Sequence, residues 1–187
     1  YHDASRQGLE PFLSDVDYLC GHNIVHHDAR YLFGDGPCRW QLVDTLYMSP
    51  ILFPDRPYHK LLKDDKLISD QVNNPVNDCR KAQDLLFDEQ GCWAHLPEAR
   101  RQVFATLLAG VPEFEGFMRM VGGTPVTGDV TALIRIAYEG CICQHAQLDD
   151  MCRHQPVALS YALSLIGATD YRSLTPRWVL ANYPEVE

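Results

Sequence analysis

The run Cys20-Gly21-His22-Asn23-Ile24-Val25-His26-His27-Asp28 gathers imidazole, amide and carboxylate groups into one short stretch. A carboxylate ligates hard divalent cations, and an imidazole moves a proton near neutral pH. Neither chemistry is complete with one acid, so a partner must come from elsewhere in the chain. Asp78 is the best placed. It follows the turn Asn73-Asn74-Pro75 and opens an expected helix, where the helix dipole favours a negative charge.

The elements that must position these groups follow from hydrophobic pattern and breakers. Leu9–Val16 is expected as a short helix with Pro11 in its first turn, where a missing N–H does no harm. Tyr18–Asn23 reads as a short buried strand, and Asp28–Phe33 as a helix ended by Gly34-Asp35-Gly36-Pro37. Trp40–Val43 is a second strand, and Asp44-Thr45 opens a helix that runs through Ile51. Strand, helix, strand, helix is the rhythm of an α/β fold. His59–Leu67 is expected as a short helix passing into the charged loop around Lys63-Asp64-Asp65-Lys66. Val76–Glu89 is a helix with Cys79, Ala82 and Leu86 on one face.

Beyond Trp93 only helical periodicity remains, over 97–109, 113–121, 129–138 and 156–166. The expected organisation is therefore an α/β region, 1–92, followed by an all-helical region, 93–187.

The chain has 187 residues, 46% hydrophobic and 22% charged, ordinary values for a globular domain. Its net charge of −9 argues against a broadly basic, nucleic-acid-coating surface and leaves room for a local basic patch. No apolar run approaches the ~18 residues that cross a membrane, and no signal-peptide pattern is present. The seven cysteines, an odd count, read as reduced thiols of a cytoplasmic protein rather than a disulfide framework. The chain starts at Tyr1, not methionine, and is expected to be a fragment or a processed product.

Gly21-His22-Asn23 with Asp28, then Asp44-Thr45, then the His59-Lys60-Leu61-Leu62 segment, then Asp78, form an ordered set. Over roughly residues 9–90 this order resembles the later part of the DnaQ-like 3′–5′ exonucleases, a ribonuclease-H-like family with four acidic metal ligands. The resemblance implies a partial ribonuclease-H-like sheet and Mg²⁺ or Mn²⁺ held by Asp28 and Asp78. It also implies substrate contacts from His22 and Asn23. Two such ions would stabilise both the attacking water and the leaving oxygen of a phosphodiester. The family's general base, histidine or tyrosine, would stand at position 73 or 74. Both are asparagine here, and Asn73 cannot take a proton from water near neutral pH.

Two further departures are the absent first-strand Asp-x-Glu and one additional residue between His22 and Asp28. The chain by itself is expected to hold a partial site with little or no exonuclease activity. Ser173-Leu174-Thr175-Pro176-Arg177-Trp178 through Pro184 resembles the connector of RecQ-type DNA helicases that carry an exonuclease-like domain. That likeness implies a DNA repair protein whose helicase motor lies in the same polypeptide, with DNA favoured over RNA as partner. No GxxxxGK[ST] phosphate loop occurs in these residues. The alternative is a non-catalytic interaction or scaffold module that keeps the exonuclease fold.

Plainer roles compete at each position. Asp28 is well suited to cap a helix, as is Asp44, and His22 and Asn23 are suited to holding a turn through side-chain bonds to backbone. Cys141, Cys143, His145, Cys152 and His154 invite zinc, but Cys-x-Cys is tighter than the C-x₂₋₄-C of structural sites, so zinc is disfavoured. Arg100-Arg101 and Lys60, Lys63 and Lys66 are expected to be solvated helix faces rather than phosphate contacts. Trp178 and Tyr183 are expected as packing anchors rather than base-stacking platforms.

Overall fold

A computed structural model describes residues 8–34, 36, 38–56, 59, 61, 75–168 and 175–186. It begins with a single helical turn, α1 (Leu9–Phe12), whose following residue Leu13 is buried. The carbonyl of Leu13 accepts from Trp40 Nε1 (3.2 Å) and Arg39 Nη2 (3.3 Å), which fixes α1 to the chain just ahead of the second strand.

Strand β1 (Tyr18–Gly21) pairs in parallel with β2 (Gln41–Asp44), with Tyr18 opposite Gln41 and Gly21 opposite Asp44. Parallel strands need a crossover. Here it is a wide helical turn at Ile24–Asp28 that runs directly into α2 (Ala29–Phe33). Helix α3 (Thr45–Leu52) leaves the end of β2. The expected strand–helix–strand–helix order is therefore present, and the fold is mixed: many helices around a small parallel sheet.

After α3 come α4 (Pro75–His95), α5 (Glu98–Leu107), α6 (Pro112–Met120) and α7 (Val130–Ala137). They are followed by α8 (Leu148–His154), α9 (Pro156–Ser164), α10 (Arg177–Asn182) and a 3₁₀ turn at Pro184–Val186. Neither α8 nor α10 is expected from periodicity. Each is about two turns or shorter, too brief for a 3.6-residue pattern to stand out. Of the His59–Leu67 helix, only His59 and Leu61 are described, and both are irregular; the rest lies outside the described residues.

The division expected between 92 and 93 falls inside α4, which runs unbroken from Pro75 to His95. Its buried face is Ala82, Leu86, Glu89 and Trp93, while Cys79, expected on that face, is exposed. One apolar cluster joins Val43, Met48 and Leu86 to Phe104, Phe117 and Tyr161. Residues on both sides of the expected division thus share a core.

Helix α6 closes the outer edge of the sheet. The Gln41 N–H donates to Asp17 O (2.9 Å), so the polar groups of Gln41 face β1 and those of Leu42 face away. Gly116 of α6 lies against that outward side: a Cβ there would sit 1.9 Å from the Leu42 carbonyl oxygen. Covering a strand edge with a helix removes a site for unwanted pairing. Gly116→Ala cannot be accommodated without moving α6 off β2. It should cost about 3 kcal/mol, near the upper end for overpacking, as a lowered denaturant midpoint.

Candidate active-site groove

The turn after β1 is shaped by two constraints. Ile24 folds back over Gly21, where a Cβ would come within 2.8 Å of the Ile24 Cβ. Asn23 takes a left-handed conformation (φ 69°), which asparagine tolerates better than most residues. The turn is then held from β2. Asp44 Oδ1 accepts from the Asn23 N–H (2.8 Å) and the Leu46 N–H (3.0 Å), and Oδ2 accepts from the Val25 N–H (3.1 Å). Asp44 is completely buried. Burial pushes its carboxyl up, while the three backbone N–H groups oppose that shift.

His22 and Asn23 were expected to hold the turn through their side chains; the structure corrects this. Asn23 contributes its backbone, and His22 Nδ1 shares a hydrogen bond with the Thr45 hydroxyl (3.0 Å). Asp44 performs the cap expected of it at α3. Asp28 stands at the start of α2 but makes no side-chain capping bond. Its carboxylate meets His27 Nδ1 at 3.2 Å and is part exposed. Asp44 thus caps α3, while Asp28 leaves α2 without a side-chain cap and meets His27 beside it.

Asp78, in the first turn of α4, is exposed. Asp28 and Asp78 line the same open groove of about 810 Å³, together with Gly21, His22 and Asn23. Its other walls are mainly apolar, from Ile24, Leu32 and Leu46, with Tyr31 and Trp178 at the surface. Among the described residues, no three His, Cys, Asp or Glu side chains converge as a metal-holding group. The expected metal pair thus shares a groove without a third ligand in the described chain. Asn73 lies outside the described residues.

A second polar cluster is buried. Glu89 is fully buried, and neither carboxylate oxygen has a hydrogen-bond partner among the described residues. Burial, and then the nearby Asp44 charge, raise its carboxyl well above the usual range. His59 shares a hydrogen bond with Ser49 Oγ through Nδ1 (2.8 Å). Burial first, then Arg56 and His22, lower His59 to about 4, and burial lowers His22 to about 4. Glu89 was not expected as a site residue. Its signal was an acid on the apolar stripe Ala82, Leu86, Trp93, at spacings of four, three and four.

The remaining candidates are engaged locally. Arg101 is paired with Glu98, and the Arg100 guanidinium lies 4.7 Å from the Tyr138 ring centroid. Lys60, Lys63 and Lys66 lie outside the described residues. Cys141 and Cys143 are exposed on a loop whose carbonyls at Cys143, Gln144 and Ala146 accept from Arg135.

Two measurements check these assignments. Asp44→Ala strands three backbone donors and should cost about 3 kcal/mol or more in denaturant unfolding. Glu89 binds its proton more tightly when folded, so its stability contribution falls as pH rises from about 4.3 through the raised value. Glu89→Gln should therefore melt above the parent protein at pH 8, with the difference shrinking towards pH 4. His22 and His59 act oppositely: the unfolded chain protonates first below about 6.5, so their contribution falls between there and pH 4.

Among the described residues no helix is long and apolar enough to cross a membrane. No family model matches the chain, and neither a curated protein nor a solved structure matches it.

Proposed function

We propose that this chain is a metal-dependent 3′–5′ exonuclease-like module with a partial ribonuclease-H-like fold, belonging to a DNA repair helicase. Asp28 and Asp78 bind Mg²⁺ or Mn²⁺, and the groove beside them receives the end of a DNA strand. The observation that carries the reading is that Asp28 and Asp78, far apart in sequence, border one groove with the Gly21-His22-Asn23 turn. The parallel strand pair and an Asp28 carboxylate not used as a helix cap support it too. Hard cations take oxygen ligands from separate elements, and the starts of two helices, α2 and α4, supply them here. His22 and Asn23 border the substrate end of the groove, and Asn73 replaces the base the reaction requires. Phosphodiester hydrolysis by this chain alone is accordingly slow or absent.

The test is binding of a 3′-single-stranded DNA oligonucleotide with and without Mn²⁺, followed by fluorescence anisotropy, alongside hydrolysis of the same strand. Mn²⁺ should tighten binding about tenfold or more, with little hydrolysis, and Asp28→Asn plus Asp78→Asn should abolish the metal effect. Binding of equal strength without metal, unchanged in the double variant, would favour the non-catalytic scaffold instead.

A further inference from the structure

Trp178 comes from α10, remote in sequence from the exonuclease-like segment, yet it borders the same groove as Asp28 and Asp78. Its ring is braced on two sides by edge contacts. Tyr47 of α3 stands 5.1 Å away at 72°, and Tyr161 of α9 stands 6.2 Å away at 88°. Tyr161 is itself buried and donates from its hydroxyl to the Tyr47 carbonyl (3.2 Å), so the brace is fixed at both ends. Val179, next in the chain, is fully buried and seats α10. The packing role expected for Trp178 is therefore met, and part of the ring is still left to the groove.

We propose that Trp178 is a base-stacking wall, so that the C-terminal helices complete the nucleic-acid site rather than merely following it. This rests on the nucleic-acid reading of the groove. A groove with two carboxylates and mainly apolar walls does not suit a simple anion. It suits a ligand with a flat π face whose charged end reaches the protein through metal. A nucleotide at a strand end has both parts, and stacking on an aromatic ring tolerates any base.

The chain has three tryptophans, and Trp40 and Trp93 are both buried, so quenching by a bound base reports Trp178. The full chain is titrated with a single-stranded DNA oligonucleotide in Mn²⁺, followed by intrinsic fluorescence and by anisotropy. Trp178→Leu keeps apolar bulk without a π face and should weaken binding about tenfold, and Trp178→Phe less. Both should lose the quenching while keeping the parent's circular dichroism. An oligonucleotide with an abasic 3′ end should bind the parent and Trp178→Leu equally, a result that mere loss of packing would not produce. Unchanged affinity in Trp178→Leu, or an equal loss with the abasic strand, overturns the stacking role. Failure of the parent to bind any oligonucleotide, with or without Mn²⁺, overturns the nucleic-acid reading itself.

Discussion

The carboxylate of Asp44 is the constraint on which the groove depends. It is buried at the end of β2 and spends its two oxygens on three backbone N–H groups, two of them across the sheet in the turn after β1. A buried charge without such partners would be costly, and unsatisfied N–H groups in the turn equally so. Each solves the other's problem. The left-handed Asn23 and the close approach of Ile24 to Gly21 are what that arrangement demands of the turn. Because Asp44 also caps α3, one side chain sets the relation of β1, β2 and α3, and with it the position of Asp28.

The rest of the groove is assembled by aromatic packing rather than by polar contacts. Tyr47 touches His26, Phe114 and Trp178, and Tyr161 touches Phe114, Trp178 and Tyr183. The two tyrosines thereby tie α3, α6, α9 and α10 together. His26, beside the groove turn, also meets Glu113 at the start of α6 at 2.7 Å. The turn and the later helices are thus connected by several independent contacts, and the groove belongs to both parts of the chain.

Much of this was legible in the sequence where period and local turn chemistry decide structure. The strand–helix–strand–helix order and the α4 face at Ala82 and Leu86 follow from apolar spacing, and the cap at Asp44 follows from its residue type ahead of a helix. What failed were statements about which atoms of a turn residue make its contacts, as with the side chains of His22 and Asn23. Asp28 and Asp44 each precede a helix of their own; Asp44 caps α3, and Asp28 makes no capping bond at α2. The extension of α4 past Glu89 was hidden by the polar run Asp88-Glu89-Gln90-Gly91, which tertiary packing of Trp93 overrides. Trp178 was invisible as a groove residue because its role depends on a contact between distant parts of the chain.

Helix α4 reaches further than its length suggests. Its first turn carries Asp78 on the groove, and its last carries Trp93, whose ring packs against Phe117 at 5.9 Å deep among the later helices. At 1.5 Å per residue those two positions are about 22 Å apart on one continuous rod. Its hold on the core is uneven along that length: the Asp78 end is exposed, and the buried face begins only at Ala82. The turn that lines the groove is therefore the less tightly held end of α4, and the Trp93 end is the one anchored by the packed helices.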